Sequence, residues 1–252
     1  MGVFHPFCRV HSSGDENEQE PWSFGEPYTA IAKKFIELRY RLLPYIYTLF
    51  EDHTRTGAPM LRSLIYLDDK DAETHNRMEE FALGPDLFTC PISKPGVEGR
   101  WLYPPSGLWY DFWTNEELQG GEERWFDVPL DSTPFLVRGG SIVPLSPVRM
   151  NSSTPLSHIK LGAYLDAEEG KGMLYEDAGD GFGDSVMKTF ELKEKVLTQT
   201  RDGDYQPEYS HYELTIRGAD WKTVSVDGGE PITLKRGQVI KLPESFEKAA
   251  FV

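Results

Sequence analysis

Two cysteines, Cys8 and Cys90, are all that this 252-residue sequence holds. Two thiols cannot build a disulfide framework, and so wide a spacing fits no zinc pattern. Both are expected to be small core hydrophobes. Positive charge is scarce as well: 26 Lys and Arg face 41 Asp and Glu, a formal net charge of −15. A nucleic-acid or anionic-membrane surface would repel such a chain, so neither is expected as a partner. No apolar run approaches the roughly 18 residues that a membrane helix needs. The opening Met1-Gly2-Val3-Phe4-His5-Pro6 lacks the basic region and apolar core of a secretory signal. Pro6 also stands where a myristoylation pattern needs Ser or Thr. There is no internal repeat and no low-complexity segment, and the compartment stays open.

Hydrophobic residues make up 39% and aromatics 13%, enough for a packed core. The length allows one large domain or two to three small ones. Residues 1–13 read as a strand end and the loop leaving it, and Gly14 to Glu20 as a polar acidic loop. From Tyr28 to about Phe50 the positions Ile31, Phe35, Leu38, Leu42, Ile46 and Leu49 recur at helical steps. Pro44 removes one backbone donor inside this helix and is expected to kink it locally. Gly57 and Pro59 end it. Met60–Leu67 reads as a short buried strand of a parallel sheet. Helix then buried strand is the rhythm of a (β/α)8 barrel, but a complete barrel takes roughly 250 residues.

Past Glu80 the texture changes to short strands between Gly, Pro, Asn and Asp turns. Strands are expected at Asp86–Ile92, Arg100–Tyr103, Leu108–Trp113, Phe126–Pro129, Phe135–Arg138 and Ser141–Leu145. Arg149 to Ser157, rich in Ser, Thr and Pro, reads as a linker. A second series covers Ile159–Tyr164, Gly172–Tyr175, Met187–Leu192, Tyr209–Ile216, Thr223–Val226 and Val239–Leu242. Many short strands at this spacing indicate antiparallel sandwiches.

Five stretches resemble glycoside hydrolase family 31. They are Phe4-His-Pro-Phe-Cys-Arg-Val-His11 with Glu20-Pro21-Trp22, Glu37 to Tyr47, Leu108 to Trp113, Pro134 to Pro144, and Leu174 to Gly181. In the last, Ala178 stands where an Asp is usual. Their collinear order over nearly the whole chain makes the resemblance specific. It implies a mainly β, α+β fragment: the last part of a (β/α)8 barrel at 1–73, a proximal β-sandwich at 74–150 and a distal β-sandwich at 151–252. It also implies that Met1 is an internal methionine of a longer protein.

The activity implied is that of a retaining α-glycosidase, an α-glucosidase above all. Its partners would be an oligosaccharide with a terminal α-linked sugar and the missing part of the barrel, and no cofactor or metal is implied. The resemblance assigns substrate contact to His11, whose imidazole can donate or accept one hydrogen bond to a sugar hydroxyl. Arg9, two residues earlier, points the same way in an extended segment. Two roles are open to it, substrate contact or pairing with a barrel carboxylate. Phe7 and Trp22 are expected in apolar packing.

A retaining mechanism needs two carboxylates roughly 5–5.5 Å apart. The family's nucleophile segment has no counterpart here, so no catalytic residue is assigned and the chain alone is expected to be inactive. Asp15, Glu16, Glu18 and Glu20 read as a solvated face. Leu108 to Trp113 is a conceivable sugar platform, but its alternation reads as sandwich core. The Asp177, Asp180 and Asp184 group does not fit a calcium loop and reads as a strand turn. A different class remains open: a short carbohydrate-binding module, or half of a split enzyme. Against the module stands the helix stripe, which would lie exposed without barrel strands.

Overall fold

A computed structural model describes residues 2–11, 13–14, 18–179 and 181–252; Met1, Asp15, Glu16 and Asp180 lie outside the described residues. The chain runs through α1 (Tyr28–Thr56), β1 (Leu61–Arg62), α2 (Leu64–Leu67), β2 (Phe81–Leu83) and β3 (Leu87–Thr89). Then come β4 (Gly99–Leu102), β5 (Leu108–Asp111), β6 (Glu117–Gln119), β7 (Arg124–Asp127), β8 (Phe135–Arg138) and β9 (Ser141–Leu145). The last part holds β10 (Ile159–Tyr164), β11 (Gly170–Asp177), β12 (Ser185–Lys193), β13 (Val196–Gly203) and β14 (His211–Arg217). It closes with β15 (Thr223–Val226), β16 (Ile232–Thr233), β17 (Ile240–Pro243) and β18 (Lys248–Phe251).

Among the described residues three sheets form: six strands in the order β1-β2-β3-β8-β5-β6, ten in the order β16-β15-β18-β13-β12-β11-β9-β10-β14-β17, and the pair β4-β7. The fold is mainly β with sandwich-like sheets, as expected. β8 and β9 follow each other in the chain but belong to different sheets, and the crossing is made at Gly139-Gly140. Gly140 adopts φ 85°, a left-handed turn that glycine takes at little cost. Most pairings are antiparallel. β10 and β14 depart from the expected antiparallel arrangement and run parallel over six residue pairs, from Ile159↔Tyr212 to Tyr164↔Arg217.

α1 is the one long helix among the described residues. It buries Leu38, Leu42, Tyr45, Ile46 and Leu49, which share one face at i, i+4, i+7, i+8 and i+11. The stripe is covered: it joins Leu83, Leu87, Val137 and Val143 in one core cluster. The expectation that it would lie exposed is therefore corrected, because the β-strands pack on it. Gly57 caps the helix in the left-handed region, its N–H donating to the His53 carbonyl at 2.8 Å.

α1 continues past Pro44, which has no N–H for the Tyr40 carbonyl. Ser146, fully buried just after β9, supplies the missing donor: its hydroxyl reaches the Tyr40 oxygen at 2.6 Å. Its backbone N–H donates to the Arg41 carbonyl at 2.9 Å. One turn on, the Thr48 hydroxyl donates to the Pro44 carbonyl at 2.8 Å and accepts from the Tyr175 N–H of β11 at 2.9 Å. The proline defect is thus the place where helix and ten-stranded sheet are joined. Tyr45 makes a second joint, donating to the Asp86 carboxylate at 3.1 Å while Ser141 donates to the same group at 2.7 Å.

Met60–Leu67 is not one strand. It divides into β1, paired antiparallel with β2, and the single-turn helix α2. A short apolar run looks alike as buried strand or buried helix; here Leu64 plugs a small core with Phe88, Trp109 and Leu136. The Leu108–Trp113 run is core on both faces, Trp109 in that small cluster and Tyr110 against α1. Alternation stops at Asp111, whose carboxylate accepts the N–H groups of Trp113 and Thr114, each at 2.8 Å. Trp113 consequently packs with Phe112 on the α1 side.

The ten-stranded sheet encloses a buried ionic cluster. Lys188 on β12 has a side chain with 0% exposure, and its ammonium lies 2.7 Å from both Glu176 and Glu244. It also donates to the Tyr209 hydroxyl at 2.9 Å, which in turn donates to Glu176 at 2.8 Å. Burial first, then the neighbouring Tyr212 and Glu176, pushes the Tyr209 phenol far up, so it remains a donor. Arg201 adds an ion pair to Glu244.

Candidate functional site at the N-terminal arm

The arm of residues 2–11 is fixed at its root and free at its tip. Phe4 is buried against Phe135, ring centroids 4.8 Å apart. Arg39 of α1 reaches back and donates to the carbonyls of Val3 at 3.1 Å, His5 at 2.5 Å and Pro6 at 2.8 Å. A guanidinium fork can satisfy several carbonyls in a row, so one helix residue sets the direction of the whole arm. The Glu37–Tyr47 stretch was singled out in the sequence, but nothing local in it assigns Arg39 this task.

From Pro6 to His11 every residue is exposed. The Arg9 guanidinium donates to His11 Nδ1 at 2.6 Å. Arginine can only donate, so Nδ1 is the acceptor and a neutral His11 carries its proton on Nε2. The ring therefore offers a donor at its outer edge. The two residues singled out in the sequence are brought together, and Arg9 bonds an imidazole here. Phe7 and Trp22, expected in packing, are instead 76% and 68% exposed. Val10, Phe24 and Tyr28 are exposed beside them in sequence.

The remaining sequence candidates are scattered. Glu18 and Glu20 are exposed, and Glu20 accepts from the Ser23 hydroxyl at 3.1 Å. Asp177 accepts the Tyr47 hydroxyl at 2.5 Å and the Gly179 N–H at 2.9 Å, as a strand turn docked on α1 should. Cys90 is buried, and burial pushes its thiol up to about 12. Cys8 is exposed, against expectation, because it follows the point where the arm leaves the core.

Comparison with known proteins places this architecture. Residues 1–49 match the model described as "Glycosyl hydrolases family 31 TIM-barrel domain", and residues 57–143 the "Glycosyl hydrolase family 31 C-terminal domain". The chain is 34% identical over 241 residues to alpha-glucosidase 2 of Bacillus thermoamyloliquefaciens, a match covering 91% of this chain and 30% of that protein. It is 35% identical over 178 residues to the alpha-xylosidase of Saccharolobus solfataricus, covering 70% of this chain and 24% of that one. The structure of a Flavobacterium johnsoniae family 31 dextranase complexed with glucose superposes with a TM-score of 0.88 at 26% identity, over 99% of this chain and 36% of the dextranase. The chain spans about a third of the length of the relatives it matches. With two consecutive domains of one family matched in order, and a relative aligned over nine-tenths of this chain, the chain belongs to glycoside hydrolase family 31, whose C-terminal portion it represents.

Proposed function

We propose that this chain is the C-terminal part of a retaining α-glycosidase that removes terminal α-linked sugars from oligosaccharides, an α-glucosidase in the first instance. The observation that carries the reading is the 34% identity to an alpha-glucosidase over 91% of the chain. In the working enzyme the Nε2–H of His11 donates to a hydroxyl of the terminal sugar, and Arg9 holds the ring in that tautomer. Arg9 is thus a positioning residue. A hydrogen bond of this kind gains value as the sugar ring flattens toward an oxocarbenium ion.

The division into barrel end, proximal sandwich and distal sandwich belongs to the same reading. So does the partner of the arm: the remaining barrel covers Phe7, Val10, Trp22, Phe24 and Tyr28, whose exposure is high for one short stretch of chain. The nucleophile and acid/base carboxylates are supplied by that barrel. The 252-residue chain is accordingly expected to leave an aryl α-glucoside intact. Turnover by pure, sequence-verified protein overturns the reading. Joined to the upstream barrel of the Bacillus relative, it is expected to become active. There His11→Ala lowers kcat/KM by about 10- to 100-fold, and unchanged kinetics would remove His11 from the sugar site.

A further inference from the structure

The dipeptide Ser-His occurs twice in the distal region, at Ser157-His158 and Ser210-His211. The parallel pairing of β10 with β14 brings the two copies side by side. Ile159 is in register with Tyr212, and both point into the core. The residues that alternate with them, His158, Lys160, His211 and Glu213, share the opposite face. Neighbouring β17 places Lys241 beside Glu213 and Pro243 beside His211. The imidazoles stack with centroids 5.5 Å apart and planes 21° from parallel.

Within this patch three ligating atoms converge, one each from His158, His211 and Glu213, all within 4.8 Å of one another. His158 Nε2 lies 3.3 Å from Glu213 Oε2 and is buried with no hydrogen-bond partner. Each histidine has its Nδ1 engaged by the hydroxyl of its own preceding serine, at 3.0 Å for Ser157 and 3.3 Å for Ser210. Each hydroxyl can accept from an Nδ1–H, the tautomer that leaves Nε2 free for coordination, as the outer partners of metal-bound histidines do.

We propose that His158, His211 and Glu213 bind a zinc ion on the outer face of the ten-stranded sheet, with Ser157 and Ser210 orienting the two imidazoles. Ligands about 2.0–2.2 Å from a tetrahedral ion lie roughly 3.4 Å apart. The His158–Glu213 separation already meets this, and the remaining ligands need to close by at most about 1.4 Å. Two imidazoles with one carboxylate suit zinc over magnesium or calcium, which take oxygen sets. Lys160, 3.9 Å from Glu213 with a side chain 45% exposed, turns outward as the ion enters. A bound ion would tie β10 to β14 at the start of their parallel pairing. The site stands apart from the arm, so it is independent of the proposed glycosidase activity.

Calorimetric titration of the metal-free 252-residue chain with zinc chloride is expected to give saturable binding at one ion per chain. His158→Gln and Glu213→Gln abolish that binding, and Ser157→Ala weakens it about 10- to 100-fold. Magnesium gives no saturable heat. Cobalt(II) checks the same ligands in the unaltered protein: its visible bands are expected in a tetrahedral pattern without thiolate charge transfer. Three results overturn the proposal: no saturable zinc heat, zinc binding undiminished in the H158Q/H211Q variant, or a cobalt–thiolate band placing the ion at a cysteine.

Discussion

Lys188 and Arg9 are both cations held by neighbouring side chains, and the two regions they occupy treat them in opposite ways. In the ten-stranded sheet the ammonium is sealed from water and met by two carboxylates and a phenol. In the arm the guanidinium is exposed and donates to one exposed ring. The sheet region meets this cation with its own carboxylates and phenol and keeps the aromatic residues Phe190, Tyr212 and Phe246 inside. The arm holds its backbone through Arg39 but presents Phe7, Arg9 and His11 outward. One region is finished by its own sequence. The other is set in direction at its root and left exposed at its tip.

The largest test of this contrast falls on the closed side. Lys188→Met removes the cation and leaves Glu176 and Glu244, each with a side chain 12% exposed, without their shared partner. Breaking a buried pair in this way costs about 3–5 kcal/mol, measured as a lower midpoint in urea unfolding. Adding Glu176→Gln is expected to recover part of the loss, because one uncompensated carboxylate is gone. If Lys188→Met costs less than about 1 kcal/mol, within the range of exposed ion pairs, the cluster is open to water and the contrast collapses.

A smaller effect is expected at the seam between helix and sheet. Ser146→Ala deletes the hydroxyl that serves the Tyr40 carbonyl opposite Pro44. A buried acceptor left unsatisfied costs about 1–3 kcal/mol. Replacing Pro44 by Ala in the same variant restores an N–H at that turn and is expected to recover most of the loss. Failure of that rescue would show that Ser146 acts through packing alone.

How far the sequence reveals these features depends on how local their causes are. α1 begins at Tyr28 as its apolar periodicity indicates and stops at Gly57 because only the cap geometry is needed. Its last turns, past Phe50, carry no apolar signal and are held by polar contacts such as Asp52 with Arg62. β8, β9 and β10 fall where short apolar runs stand between turn residues. Pairing is another matter. Nothing near Ile159 or Tyr212 says that their strands run parallel, and nothing near Lys188 says that Glu176 and Glu244 will enclose it. These are long-range facts set by topology. The same limit applies at the candidate site. His11 and Arg9 are legible through the motif that contains them, whereas Arg39 serves them from a helix thirty residues on. Phe7 and Trp22 look like core residues by type, and Met60–Leu67 looks like one strand by composition, because neither type nor composition says which neighbours arrive.

The smallest effect is expected on the open side. Phe7→Ser and Trp22→Ser exchange exposed apolar surface for polar, at 76% and 68% exposure in the starting residues. Substitutions at such positions usually change stability by no more than about 0.5 kcal/mol, so urea unfolding of either variant should overlay that of the parent chain. Solubility responds instead: an exposed apolar cluster promotes association, and sedimentation of the double variant is expected to show less self-association at high concentration. Unchanged stability together with reduced association fits a surface kept for a covering partner. A loss of 2 kcal/mol or more from either substitution would mean that the arm packs its own aromatics, and the distinction between a closed sheet and an open arm would have to be given up.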